Sequence, residues 1–263
     1  MWRARRSGSS VAGSDGGFDD AEVERYARHL VLREVGGPGQ QRLKAANVLI
    51  VGAGGLGSPA ALYLAAAGVG RLALVDADRV SLSNLQRQIL FDSDQVGRPK
   101  VAAAAGRLAA LNPHVTVETI ETAVTPANAA ALVAGRDLVL DGCDNFDTRH
   151  AVSDACVAAG VPLVSGAIGR WTGQVGVFTG RPCYRCLTPD VPPDAETCVA
   201  VGVVGALAGV VGSMMALEAI KHITGAGKPL AGRLWIYDGL AGESRTVRIA
   251  PDPACPSCGA ASA

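Results

Sequence analysis

The sequence predicts an α/β fold: a Rossmann-like, largely parallel sheet with helices on both faces, extended by C-terminal antiparallel strands and a structural zinc site. Three observations predict it. The β-branched run Val48 to Val51 stops at four glycines in six residues, Gly52-Ala-Gly-Gly-Leu-Gly57, and a helix-compatible segment follows from Pro59 through Leu64. Strand-like and helix-like segments then alternate as far as Pro162-Leu-Val-Ser165, the pattern of parallel strands joined by crossover helices. Two Cys-x-x-Cys pairs, Cys183-Tyr-Arg-Cys186 and Cys255-Pro-Ser-Cys258, supply four thiolates for a tetrahedral metal.

Composition bounds the reading. With 263 residues and 49% hydrophobic content, the chain can bury a large core as one domain. Zero net charge and 4% aromatic content argue against a nucleic-acid partner. Seven cysteines, four of them in the two pairs, suit a reducing, cytoplasmic compartment better than a disulfide framework.

In chain order, residues 1–17 carry Arg3, Arg5 and Arg6 and then Ser/Gly-rich sequence without an apolar signal segment, so a disordered leader is expected, with the domain spanning 18–263. Asp19 or Asp20 caps a helix from Ala21 to about Glu34, with Val23, Ala27, Leu30 and Val31 as its apolar stripe. Gly36-Gly37-Pro38-Gly39 is expected to break it before a short amphipathic segment, Gln40 to Ala45. After the glycine turn comes a second strand, Arg71 to Val75, and then a polar loop, Asp78 to Gln88. Lys100 opens an Ala-rich helix to about Leu111, ended by Asn112-Pro113. Val115 to Ile120 reads as a strand by alternation, Leu138 to Asp141 as a short buried strand, and Asp147 to Ala159 as a helix. Gly173 to Thr179, Leu234 to Tyr237 and Thr246 to Ala250 read as the later, antiparallel strands, and Thr188 to Thr197 as a mobile polar loop. Val199 to Leu217 is uncharged and long enough to suggest a membrane helix. Its interrupting small residues and the lack of flanking basic or aromatic clusters favour a buried helix, packed tightly at Gly205 and Gly209.

The chemistry starts at the turn. Gly52, Gly54 and Gly57 match the G-x-G-x-x-G pattern, in which absent side chains let backbone N–H groups and a helix N-terminus close on a phosphate. Asp76, 24 residues past Gly52, stands where a ribose-binding carboxylate belongs. Asp76, Asn84, Arg87, Gln88, Lys100 and Asp144 gather near the carboxyl ends of early strands. Two cations and two or three carboxylates there suit a polyphosphate with magnesium. A dinucleotide needs no such cationic set, because the helix N-terminus and backbone already neutralise its pyrophosphate. For the cysteine pairs, zinc is favoured over a redox reading, because Pro182 and the Pro-rich sequence around Cys255 read as metal knuckles. Cys198 precedes the apolar helix, and its two readings, a thiol activated by the helix N-terminus and a small buried hydrophobe, are evenly weighted. Cys143 and Cys156 read as packing residues. No histidine has a nucleophile nearby in sequence, so a reaction without a general base fits best, such as attack by an ionised carboxylate on the α-phosphate of ATP.

Taken together, Arg25-Tyr-Ala-Arg28-His, Gly52 to Gly57, Asp76-Ala-Asp78, Ser81 to Gln88, Gly97-Arg-Pro-Lys100, Asp141-Gly-Cys-Asp-Asn145 and the two cysteine pairs resemble the MoeB/ThiF/HesA adenylyltransferases, relatives of the ubiquitin-activating enzymes, from about Asp20 to Gly259. The resemblance implies adenylation of the C-terminal glycine carboxylate of a small β-grasp sulfur-carrier protein ending in Gly-Gly, with ATP, Mg2+ and Zn2+ as cofactors and a homodimer as the working form. It implies nucleotide contacts from Gly52, Gly54, Gly55, Gly57, Asp76, Asp78, Ser83, Asn84, Leu85, Gln86, Arg87, Gln88, Lys100, Asp144 and Asn145. Asn84, Arg87 and Lys100 would face the triphosphate, Asp144 would hold magnesium, and Arg28 would reach in from the partner subunit. Cys183, Cys186, Cys255 and Cys258 would ligate zinc, and Cys198 would be the reactive cysteine of relatives that carry sulfur or a thioester. The chain stops after the second pair, so an appended rhodanese domain is not expected, and Cys143 occupies a position where relatives often carry another small residue. A nicotinamide-dependent dehydrogenase would leave Arg87, Lys100 and both cysteine pairs unexplained. A non-catalytic carrier-binding scaffold would need the ATP residues to be vestigial, and all of them are present.

Overall fold

Two adjacent strands, β1 (Asn47–Val51) and β4 (Leu138–Asp141), are apolar and buried along almost their whole length, as strands covered on both faces must be. The computed structural model describes residues 17–190 and 202–259. With β2 (Arg71–Val75), β3 (Thr116–Ile120), β5 (Leu163–Gly169), β6 (Thr172–Phe178), β7 (Arg233–Asp238) and β8 (Glu243–Arg248), they form an eight-stranded sheet of order β3-β2-β1-β4-β5-β6-β7-β8. The pairings from β3 to β5 are parallel and those from β5 to β8 antiparallel. The predicted parallel core with antiparallel extension is therefore the architecture found.

Strand alternation divides the core in two. Val48, Ile50, Leu72, Leu74, Leu138 and Leu140 pack toward α4 (Gly57–Ala66), α5 (Lys100–Leu111) and α9 (Gly205–Thr224). Leu49, Val51, Ala73, Val75 and Val139 pack toward α6 (Ala129–Val133), α7 (Phe146–Ala159) and the short α8 (Tyr184–Leu187). The short α6 carries too few apolar positions for a helical period to stand out, and the sequence reading missed it.

The N-terminal helix differs from expectation. It splits into α1 (Asp20–Arg25) and α2 (Ala27–Leu30) at Tyr26, whose ψ of 11° leaves the helical range. Asp19 is the N-cap and forms a capping box with Glu22. The buried residues are Glu22 and Tyr26, while Val23 and Val31 of the expected stripe are exposed. The reason is polar anchoring: Lys44 pairs with Glu22 at 2.8 Å, and the Tyr26 hydroxyl accepts from Asn112 Nδ2 at 2.9 Å. Gly36-Gly37-Pro38-Gly39 does not precede the next helix but begins it, since α3 runs Gly36–Ala45, and proline is tolerated in a first turn where no intrahelical acceptor is needed.

Helix α9 is the one helix among the described residues long and apolar enough to cross a membrane, and it packs against α4, α3 and the sheet. Gly205 makes the expected close approach, since a Cβ there would meet the Gln86 carbonyl oxygen at 2.1 Å. Gly209 does not: it faces open space, and the tight contact falls at Gly212, against Pro59 and the Leu56 carbonyl. The expected leader lies almost wholly outside the described residues, as does most of the Thr188 to Thr197 loop, together with Cys198 and the start of the apolar run at Val199.

Candidate functional site

Where β1 leads to β2 on one side and lies beside β4 on the other, the chain changes direction across the sheet, and a crevice opens at the strand ends. Its volume is about 320 Å3. Gly52, Gly54 and Gly55 form one wall, and Asp76, Asp78, Arg87, Gln88, Lys100, Asp144 and Asn145 complete the expected set that lines it. The turn requires glycine at both ends. Gly52 has φ of +85°, and a Cβ on Gly57 would lie 1.9 Å from the Gly52 carbonyl oxygen.

Asp76 supports this turn from the end of β2. One carboxylate oxygen accepts from the Ala53 N–H and the other from the Asp78 N–H, each at 2.8 Å. Burial raises its pKa against the opposing influence of Lys100 and of these backbone donors. The fold thus keeps a strong, partly desolvated acceptor beside the glycine turn.

Lys100 opens α5 and is buried, with Nζ 2.8 Å from Asp78 Oδ2 and 3.9 Å from Asp76 Oδ2. Arg87 is held by the loop before it, donating to the Asn84 side-chain oxygen at 3.1 Å and the Ser83 carbonyl at 3.3 Å. Gln88 is buried, and among the described residues its Oε1 has no hydrogen-bond partner, an acceptor left open at the cleft wall. Across the cleft, Asp144 is exposed and has no ion-pair partner among the described residues. The Asn145 side chain is engaged as the N-cap of α7, accepting from the Thr148 N–H at 2.8 Å.

Other expected residues lie behind the wall. Ser83 and Asn84 brace Arg87, Leu85 packs on the core, and the Gln86 carbonyl meets Gly205. Gly57 shapes the turn without lining the cleft. Arg28 is exposed on α2 and does not line the cleft of its own chain.

The sequence reading missed Arg149. It lines the cleft floor from α7, is buried, and pairs with Asp141 at 3.1 Å. Burial disfavours its charge, and the Asp141 carboxylate more than offsets this, so the guanidinium pKa is raised. An arginine within a run of helix formers carries no periodic signal of burial. Thr122 to Val124, in the irregular segment that follows β3, also line the cleft and were missed because such a segment has no period to read. Cys143 also lines the cleft, and burial with the nearby Asp141 holds its thiol well above the ordinary range, so it is protonated rather than nucleophilic at neutral pH.

Beside Asp154 of α7, Cys183, Cys186, Cys255 and Cys258 bring their sulfurs within 4.8 Å of one another. The Cys183–Cys255 and Cys186–Cys258 separations are 3.5 and 3.4 Å. A disulfide would need about 2.05 Å. Thiolates about 2.3 Å from a tetrahedral zinc stand about 3.8 Å apart, so the donor set fits zinc in chemistry and spacing. The Asp252 N–H donates to Cys186 Sγ at 3.4 Å. Asp154 of α7 ties both pairs down: Arg185 donates to it at 2.8 Å and Ser257 Oγ at 2.5 Å.

Comparison with known proteins agrees with this geometry. The ThiF family model matches residues 26–257. A sulfur carrier protein adenylyltransferase of Thermus thermophilus is 49% identical over 247 residues, covering 90% of this chain and 91% of that one. A molybdopterin-synthase adenylyltransferase of Escherichia coli is 48% identical over 245 residues, covering 92% and 98%. Among solved structures, Escherichia coli MccB superposes with a TM-score of 0.80 over 94% of this chain and 74% of that one, at 22% identity, a likeness of fold.

Proposed function

Because the chain belongs to the ThiF family, we propose that the cleft at the glycine turn is where it adenylates a protein carboxylate. The chain is an ATP-dependent adenylyltransferase for a small ubiquitin-like sulfur-carrier protein, the activity named for its relatives. The observation that carries the site assignment is the convergence of Lys100, Arg87 and the exposed Asp144 on a glycine-lined turn.

The reaction joins a carrier C-terminal carboxylate to the α-phosphorus of ATP and releases pyrophosphate. An α-carboxyl has a pKa near 3.3–3.7, so the nucleophile is already ionised at neutral pH and needs no base. That suits a cleft which, among the described residues, no histidine lines. The difficulty is instead the approach of one anion to another, which preorganised positive charge relieves. In this reading the amides of the turn at Gly54 and Gly55 lie against phosphate, Asp76 accepts from the ribose hydroxyls, and Lys100 and Arg87 neutralise charge passing to the leaving pyrophosphate.

Magnesium fits the remaining group, since it binds through one or two carboxylates together with substrate phosphates and water. Asp144 would hold it, with Asn145 fixing the start of α7 beside it. When bound it neutralises phosphate charge. The four-cysteine cluster would hold zinc and fasten the segment after β8 onto α7. Arg28 does not line this cleft in its own chain, so in a homodimer it would serve the partner's site. Cys198 would matter only for later sulfur or thioester chemistry. A cytoplasmic location belongs to the same proposal.

The test is carrier-dependent ATP–pyrophosphate exchange. The wild-type protein exchanges label only when a carrier ending in Gly-Gly is present, and Asp144→Ala reduces the rate by about 10²–10³-fold. An Asp144→Ala protein that exchanges at the wild-type rate removes Asp144 from the site.

A further inference from the structure

We infer that Arg149 is the positioning residue for Asp144, acting through the backbone of Cys143; the inference rests on the reading of Asp144 as the magnesium-holding carboxylate. Arg149 lies in the first turns of α7, under the segment Gly142 to Asn145 that crosses the cleft floor. Its guanidinium spends its donors in two directions. Nη1 reaches Asp141 Oδ2 at 3.1 Å and Ser165 Oγ at 2.9 Å, and Nη2 reaches the carbonyl oxygens of Cys143 at 2.5 Å and Gly166 at 2.7 Å. Ser165 Oγ donates in turn to Asp141 Oδ2 at 2.9 Å, and Asp141 Oδ1 accepts from the Cys143 N–H at 3.0 Å.

Residue 143 is therefore gripped at both of its peptide groups, its N–H by Asp141 and its C=O by Arg149. The next residue is Asp144, whose side chain has no ion pair among the described residues and takes its position from that backbone. Below the guanidinium, the Tyr184 ring stacks at 5.9 Å, so the side chain has little room to move.

A buried ion pair is a poor source of stability, because desolvating both charges offsets their attraction. Four acceptors around one planar cation, two of them backbone carbonyls, one in the loop after β4 and one within β5, serve geometry instead. The arrangement corresponds to the outer groups that orient metal-binding carboxylates, whose loss costs about 10–100-fold in metal affinity. Lysine keeps the charge opposite Asp141 but lacks the planar fork that spans both carbonyls.

The experiment measures binding of α,β-methylene ATP with and without Mg2+, and the Mg2+ dependence of exchange, in wild type, Arg149→Lys, Asp144→Asn and the double variant. Arg149→Lys should bind the analogue normally without metal and lose about tenfold of the affinity gained on adding Mg2+. The Mg2+ concentration for half-maximal exchange should rise by a similar factor. The double variant should be no worse than Asp144→Asn. A uniform loss at every Mg2+ concentration, or a loss that adds to that of Asp144→Asn, makes Arg149 a merely structural ion pair and overturns the inference. If Asp144→Asn itself keeps the wild-type Mg2+ response, the reading of Asp144 fails and takes this inference with it. Should Arg149→Lys not fold, Ser165→Ala replaces it, removing one acceptor while keeping the charge pair. It should shift the Mg2+ response in the same direction by a smaller factor, and no shift overturns the inference.

Discussion

The Lys100 ammonium lies 2.8 Å from Asp78 Oδ2, with the lysine side chain 4% exposed and the aspartate side chain 71% exposed. The pair is therefore solvated from one side only, and a polyanion entering the cleft can draw on the lysine without uncovering it. Lys100→Met should lower carrier-dependent exchange by about 10²–10³-fold. Asp78→Asn removes the nearer partner of a buried ammonium and leaves Asp76 at 3.9 Å as its counter-charge, so it should destabilise by about 1–3 kcal/mol. Exchange rates and denaturant titrations of the two variants check both, and an active Lys100→Met protein would remove the cation from the mechanism.

Asp76 carries a pH signature. Its pKa in the fold is raised, chiefly by burial, so ionising it costs the folded state stability. That cost is absent below the unfolded-state pKa, appears as pH rises through it toward the raised folded value, and is complete above both. Nucleotide binding has the opposite demand, since the ribose hydroxyls need an ionised acceptor. The affinity for α,β-methylene ATP should fall on acidification at a pH above the ordinary aspartate range, and Asp76→Asn should bind weakly with that acid limb missing. An unchanged limb in the variant would assign the titration to another group.

Metal analysis should find one zinc per chain. Cys255→Ser should abolish it and lower the thermal transition by at least about 3 °C, the shift expected for 1 kcal/mol or more in a chain of this size. Affinity for the ATP analogue should change little, because none of the four cysteines of the cluster lines the cleft. A protein lacking zinc but containing a Cys-x-x-Cys disulfide would revive the redox reading.

Glycines of α9 separate packing from helix propensity. A Cβ at 212 would lie 2.4 Å from Pro59 Cγ and 2.5 Å from the Leu56 carbonyl oxygen, so Gly212→Ala should destabilise by about 1–3 kcal/mol. Gly209→Ala meets open space and should stabilise by up to about 1 kcal/mol. Chemical denaturation of the two proteins decides, and equal effects would contradict the packing described.

Arg28 makes the dimer testable. Mixing Arg28→Ala with Asp144→Ala chains under conditions of subunit exchange should restore activity, since a mixed dimer then contains one intact site and one doubly defective site. Continued inactivity would place Arg28 with the site of its own chain, or outside any site.

Pattern and spacing by themselves determined the parallel core, the glycine turn, Asp76 beside it and the four-cysteine donor set. These depend on local conformation, on which faces of a strand must be apolar, and on ligand spacing within a single turn. Only the tertiary structure decided which residues of the Ser81 to Gln88 loop reach the cleft: Arg87 and Gln88 do, while Ser83 and Asn84 brace them and Gln86 packs against Gly205. The same holds for the break at Tyr26, where burial of Glu22 and Tyr26 through Lys44 and Asn112 overrides the apolar stripe. Arg149 shows the limit most clearly. In sequence it is one charged residue of a helix, and it becomes a buried support only because β4, β5 and the knuckle carrying Tyr184 converge on it. Contacts between residues far apart along the chain leave no local period, so the groups that position a site are less legible than the groups that form it.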